Sequence, residues 1–443
     1  MRIIDFIIVK CKRMNSSLLI MLTLMSIPMI SMNTSAGPSL SINPAPSDGI
    51  MEMMQRVNST ILLSYLSGLL EYQPRYTGSE NCTKAAVYLY NEFKNMGLNV
   101  EYHNWSYDHF KASNIIATIP GRRAVNNETY ILCAHYDTTP SSPGADDDGS
   151  GVAALLTIAN VMRNYSFDYN IRFIAFSGEE VGTYGSFSYA RDAYRRGDNI
   201  IGVLNADMIG YADTSIGEHV IRFFPSERAW WIGEYAELIA EKYKDILDLE
   251  VEVLPNYIGS DAQPFIDYGY DAVWIAHHDG YPYGHSVNDT IDRINPVYYE
   301  RTTRLLLATL AELACTPIRL QVILKTPLEG YFYIKDHPLL KLDLGRYWYK
   351  NLRGVTVIIG DTTATATVFT NESIKYVIYC MNGNFLFNWN ATPPYTCHIK
   401  GVHYPFFGRY TLKVYAYTSN GDVASDEMDL RLYTLSSIFN KKK

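Results

Sequence analysis

The sequence predicts two folded parts: an α/β domain with a mostly parallel central sheet and helices on both faces, then a C-terminal all-β sandwich. Three observations carry that expectation. The chain has 443 residues, too many for one ordinary core. From Asn114 to Ala314, strand-like and helix-like segments alternate, the pattern of helices covering a sheet. After Cys315-Thr316-Pro317 the pattern changes to short alternating runs, several separated by turn signals such as Asn382-Gly383 and Asn420-Gly421.

The first 36 residues read as a signal peptide, with an uncleaved N-terminal membrane anchor as the alternative. Lys10, Lys12 and Arg13 precede an apolar run from Leu18 to Met32, and the small residues Ser35, Ala36 and Gly37 follow. That run contains Pro28 and falls short of the roughly 20 residues a span needs. The apolar stretch Ile3 to Val9 is the feature that favours an anchor. The expected destination is therefore secreted or cell-surface. Asn-x-Ser/Thr triplets at Asn58, Asn81, Asn104, Asn127, Asn164, Asn288, Asn371 and Asn390 agree with export and glycosylation. The net charge of −8 argues against a nucleic-acid partner, which calls for a basic face.

Residues 37–47, rich in Pro, Ser and Gly, read as a linker. In the α/β domain (48–316), helical periodicity runs from about Gly49 to Leu70 and from Cys82 to Met96, with Gly97 as a stop. Strands are expected at Asn114–Ile119, Tyr130–Ala134, Asn170–Phe176, Ile200–Ala206, His219–Phe224, Glu250–Leu254 and Ala272–Ala276. Helices are expected at Gly151–Met162, Ser186–Arg196, Ala229–Tyr243, Asp261–Asp267 and Pro296–Ala314. The sandwich (318–434) is expected from runs at Leu320–Leu324, Tyr331–Ile334, Val355–Ile359, Ala364–Phe369, Lys375–Cys380, Tyr410–Tyr417 and Met428–Tyr433. From Lys375 onward it resembles an Ig-like accessory module, a kind that binds a surface or polymer, or spaces, rather than catalyses. Residues 435–443 form a basic tail. Cys133 reads as a buried thiol, and Cys380 and Cys397 lie close enough in one small region to suggest a disulfide.

Five motifs carry the chemistry, each at the carboxyl end of an expected strand or in the loop after it. They are Ala134-His135-Tyr136-Asp137, Ala145-Asp146-Asp147-Asp148-Gly149, Gly178-Glu179-Glu180-Val181, Ala206-Asp207-Met208 and Gly284-His285-Ser286. Taken singly, each has an ordinary explanation: a capped helix, a surface histidine, or a glutamate at a helix N-terminus. Taken together, they converge on one edge of the sheet, where such folds bind ligands. Two imidazoles and three carboxylates suit a pair of zinc ions, one carboxylate bridging. Cobalt or manganese suit the same ligands. Asp137, two residues after His135, is placed to orient its ring. Asp289, four residues after His285, could orient that ring or cap the segment after it.

The order and spacing of these motifs resemble the zinc aminopeptidases of the bacterial leucyl aminopeptidase type, in peptidase clan MH, which also holds glutamate carboxypeptidases and, more distantly, glutaminyl cyclases. The resemblance covers roughly residues 70–315 and includes Arg75-Tyr-Thr-Gly-Ser-Glu80, Asn114-Ile-Ile-Ala-Thr-Ile-Pro-Gly121 and Ser260-Asp261 with Pro264-Phe265. It implies a zinc-dependent exopeptidase fold acting on peptide substrates. It implies that His135 and Asp207 bind one zinc and Glu180 and His285 the other, with Asp147 bridging. Glu179 is implied as general base and acid, and Asp137 as the support of His135. Related enzymes often carry Tyr directly before the last His. Here that position is Gly284, so Tyr283 or Tyr281 becomes the candidate for an oxyanion or substrate contact.

The expected activity is hydrolysis of N-terminal residues from peptides. The alternatives are a carboxypeptidase of the same fold, a glutaminyl cyclase, or an inactive glycoprotein. Cyclases usually follow the bridging Asp with Ser-Ala-Val-Pro, whereas Asp148-Gly149-Ser150-Gly151 stands here. The intact ligand set and Glu179 argue against an inactive protein.

Overall fold

The computed structural model describes residues 47–124, 127–226, 228–255, 259–316, 320–342, 356–370, 372–400 and 408–433. The expected leader (1–36), the linker up to residue 46 and the basic tail (435–443) lie outside the described residues. Among the described residues no helix is long and apolar enough to cross a membrane.

The helical stretch expected from Gly49 to Leu70 is two helices, α1 (Ser47–Arg56) and α2 (Ser59–Leu70). The break is a capping event. Asn58 sits in extended backbone, and its side chain accepts from the Ile61 N–H at 3.0 Å, satisfying a donor that the first turn of α2 would leave bare. Ser79 does the same for α3 (Glu80–Asn95) through Cys82 N. Gly97, at φ +79°, takes the left-handed turn after that helix at no steric cost.

Eight strands follow: β1 (Asn99–Tyr107), β2 (Phe110–Ile119), β3 (Thr129–His135), β4 (Asn170–Phe176), β5 (Ile200–Ala206), β6 (Val220–Pro225), β7 (Glu250–Val253) and β8 (Ala272–His277). They form one sheet in the order β1-β2-β4-β3-β5-β8-β6-β7. The core strands β4, β3, β5 and β8 run parallel, while β6 turns back antiparallel to β8. β3 and β5 are buried at every position, as strands covered on both faces must be. On one face the core takes in α2, α3, α4 (Gly149–Met162), α6 (Trp230–Lys242), the short α7 (Lys244–Leu247) and α9 (Pro296–Cys315). On the other it takes in α5 (Tyr184–Arg196) and α8 (Ala262–Asp267). β1 was not expected. Trp105 is its one buried residue, so the strand carries no apolar alternation to reveal it.

The C-terminal part is two packed sheets. One holds seven strands in spatial order: β11 (His337–Lys341), β10 (Tyr331–Ile334), β12 (Thr356–Ile359), β18 (Val423–Tyr433), β17 (Gly408–Thr418), β14 (Ile374–Met381) and β15 (Asn384–Asn390). The other holds β16 (Tyr395–Ile399), β13 (Thr362–Phe369) and β9 (Gln321–Thr326). β11, β15 and β16 were not expected. The suggested Cys380–Cys397 disulfide is absent, both cysteines being free and buried. Cys397 belongs to the core between the sheets, with Tyr379 and Met381. Cys380, between those two on β14, points to the opposite face of its strand. Arg228 ties the two parts together, its guanidinium 3.3 Å from Asp271 and 3.2 Å from Asp426 of β18.

Candidate metal centre

Because β3, β4, β5 and β8 run the same way, their carboxyl ends meet at one edge of the sheet. His135 ends β3, Glu179 and Glu180 lie in the turn after β4, Asp207 directly follows β5, and His285 lies in the loop after β8. Asp147 arrives from the loop leading into α4. His135 Nε2 is 3.4 Å from Asp147 Oδ1 and 3.6 Å from Asp207 Oδ1. His285 Nε2 is 3.2 Å from Asp147 Oδ2 and 3.1 Å from Glu180 Oε2. The two triads, His135–Asp147–Asp207 and Asp147–Glu180–His285, thus share Asp147, one oxygen facing each histidine. Glu179 Oε2 stands 4.0 Å from His135 Nε2. His285 is 63% exposed while His135 is 1% exposed, so the cluster opens to solvent on the His285 side.

The acidic run is divided among three tasks. Asp148 caps α4, accepting from Gly151 N, and also holds His135 N and Met208 N. Asp146 accepts from Gly210 N at 2.8 Å and lies 3.2 Å from His277 Nε2. Asp147 alone enters the triads. The Asp147–Asp148 peptide is cis. Asp137 accepts from Thr77 Oγ1 at 2.6 Å and from Glu179 N and Glu180 N. Its carboxylate is 3.7 Å from His135 Nδ1, while its backbone oxygen is 3.1 Å from that nitrogen. Asp137 therefore organises the Glu179–Glu180 turn as well as the His135 ring.

Several supporting residues were not foreseen. Arg75, fully buried, donates to the backbone oxygens of Tyr136, Pro143 and Gly144, clamping the loop that carries Asp147. Ser260 donates to Asp207 Oδ2 and receives from Asn205 Nδ2. Asp289 was expected to orient His285 or cap the segment after it. Instead it accepts the backbone N–H groups of Asp146 (2.8 Å) and Asp147 (3.2 Å). Tyr281 donates its hydroxyl to Asp289 at 2.5 Å, which commits that group away from the oxyanion role considered for it. Tyr283 lies under the Arg293 guanidinium, 4.4 Å from its ring centroid, and edge-on to Tyr211 and Tyr281.

The electrostatics suit cations. Burial alone would raise the Asp147 carboxyl, but His135 and His285 hold it below the usual carboxylate range. Burial opposes a charged His135, yet Asp207, Asp137 and Asp147 push its pKa well above the ordinary value. The hydrogen bond to Asp147, with the Glu180 charge, carries His285 to about 9. Burial raises Glu179 well above the ordinary glutamate and Glu180 to about 7. Asp207 Oδ1 and Glu180 Oε1 are buried without a hydrogen-bond partner among the described residues, a costly arrangement unless something positive meets them. A tetrahedral zinc with ligands at about 2.0–2.1 Å spaces neighbouring ligand atoms roughly 3.3 Å apart, close to the 3.1–3.6 Å between each histidine nitrogen and its two carboxylate oxygens. The donor set of imidazole and carboxylate fits zinc at either triad.

A profile described as Peptidase family M28 matches residues 114–310, a span containing all five candidate ligands and Glu179. A probable leucine aminopeptidase of Arthroderma otae is 25% identical over 291 residues, covering 60% of this chain and 76% of that protein. The Legionella pneumophila LapA aminopeptidase structure superposes with a TM-score of 0.55 at 21% identity, over 61% of this chain and 75% of that one. The structure of BSAP, a zinc aminopeptidase from Bacillus subtilis, gives 0.52 at 17% identity over 58% and 96%. The two structures speak for the fold, and the profile for the family of the matched span. Residues 114–310 form a peptidase family M28 domain, a hydrolase domain homologous to leucine and zinc aminopeptidases.

Proposed function

We propose that this protein is a two-zinc aminopeptidase with Glu179 as general base and acid. The observation that carries the reading is the shared Asp147, one oxygen in each triad, with Glu179 beside the His135 triad. His135, Asp147 and Asp207 would hold one zinc and Asp147, Glu180 and His285 the other, and the metal would supply Lewis acidity towards the scissile carbonyl and lower the pKa of water. Glu179 takes the attacking water's proton and passes it to the leaving amine, a role helped by burial, which raises its pKa above that of an ordinary glutamate. Asp137 keeps His135 and the Glu179–Glu180 turn in register. The carboxylates of Glu179 and Asp207 favour a substrate's free α-ammonium, the basis for trimming from the N-terminus.

The test is release of N-terminal residues from a peptide panel, with and without a chelator, alongside metal content by mass spectrometry. Chelation abolishes turnover. Glu179→Gln lowers kcat by roughly 10²–10⁴-fold while retaining two zinc ions per chain. Turnover at the parent rate in the Gln variant removes Glu179 from the mechanism. One zinc per chain in the active protein removes the shared-ligand reading.

The protein is further proposed to be exported and to use its β-sandwich, read as Ig-like, to hold a surface or polymer. Support comes from the leader's pattern and from the sequon asparagines Asn58, Asn81, Asn104, Asn127, Asn164, Asn288 and Asn390, none of them buried. The mature N-terminus, read by mass spectrometry, checks export. A soluble chain still beginning at Met1 contradicts it.

A further inference from the structure

A pocket of about 440 Å³ opens beside the ligands, with Asp147 and His285 at one end and Phe224, Trp274 and Ala276 along its wall. We propose that this pocket holds a bulky aromatic side chain at the substrate's N-terminus, selected by the indole face of Trp274. The proposal rests on the aminopeptidase reading above. A peptide whose scissile carbonyl lies at the ligands sends its neighbouring side chain into the space continuous with them.

The wall is aromatic by construction. Phe224 on β6 and Trp274 on β8 face each other across the antiparallel pair, ring centroids 4.8 Å apart at 24°. Phe224 is 7% exposed and backs the indole, which is only half-buried and keeps surface for a ligand. Ala276, two residues along and on the same face of β8, leaves room beside the ring. Offset stacking on such a wall favours a flat side chain beyond its apolar area.

The charges nearby are already matched, so they select neither an acidic nor a basic residue. Arg222 Nε donates to Glu252 at 2.7 Å, and Nη1 to the His278 oxygen. Asp279 accepts from Asp213 N, Thr214 N and the Thr214 hydroxyl.

The test measures kcat/KM for a panel of aminoacyl p-nitroanilides with the zinc-loaded full chain. Phe and Tyr substrates exceed Ala by about tenfold or more, and Asp and Lys substrates fall below Ala. Trp274→Ala lowers the Phe-to-Ala ratio about tenfold, chiefly through KM, and Trp274→Phe recovers most of it. Should the Ala variant not fold, Trp274→Leu, which keeps bulk without the aromatic face, is read in its place. An unchanged Phe-to-Ala ratio in these variants, or a parent enzyme that prefers Ala, Asp or Lys, overturns the proposal. If no substrate is cleaved, the aminopeptidase reading fails, and calorimetric binding of phenylalanine amide against alanine amide judges the pocket. Tighter Phe binding that is lost in the Trp274 variant upholds it, and equal binding overturns it.

Discussion

Asp289 stands 142 positions from Asp147 in the sequence, yet it fixes the backbone on which Asp147 sits. Its carboxylate receives two N–H groups of the acidic run and the Tyr281 hydroxyl. An asparagine there has one acceptor oxygen and must turn an amide N–H towards at least one of those donors. Asp289→Asn should therefore weaken zinc binding by about 10–100-fold, the usual cost of losing a group that orients a ligand. Competition with a chromophoric chelator measures this. Affinity equal to the parent's would show that Asp147 needs no such brace. The backbone carries a related signature. Met208, Ser260 and His285 have φ of 61°, 60° and 57°, a region costly for residues other than glycine. All three are a candidate ligand, follow one or hold one, consistent with strain gathered where geometry matters.

At the scale of elements, what the sequence disclosed depended on how one-sided each segment's burial is. β4 and β5 match the expected limits at both ends, each rich in apolar residues and followed directly by a polar turn. The convergence of the candidate-ligand motifs was legible because parallel strands place all their carboxyl ends on one edge. β1 and β11 were hidden, the first with Trp105 as its one buried residue, the second exposed at all five positions. They join their sheets through backbone hydrogen bonds, which leave no trace in side-chain pattern. The break between α1 and α2 was overlooked because Asn58 interrupts the apolar period by only a short step. Arg75, Ser260 and Asp289 were missed as supports because their partners are far along the chain. The disulfide expectation failed on strand parity, since neighbours in a region can still face opposite sides of a strand.

For the molecule as a whole, the site ties folding to both metal and pH. In the metal-free protein the neighbouring carboxylates hold the His285 imidazole at about 9. A raised histidine stabilises the fold fully below its ordinary pKa near 6.5, and that contribution is lost as pH rises through about 9. Glu180, raised to about 7 by burial, works in the same direction. The folded state holds its proton where the unfolded chain has already released it, so stability falls as pH climbs from the ordinary glutamate value of about 4.3 towards 7. Asp147, held low by the two histidines, has the opposite sense, but its contribution is lost only in acid, below the ordinary aspartate range. Between pH 6 and 8 the metal-free protein therefore loses stability. Zinc requires both His285 and Glu180 without their protons, so its binding strengthens over the same interval and adds stability by mass action. The gap in Tm between the zinc-loaded and the chelator-treated protein should widen steadily from pH 6 to pH 8 in scanning calorimetry. A gap that stays constant or narrows over that range would mean that these two side chains do not give up protons to a cation, and with them the second triad would cease to be a metal site.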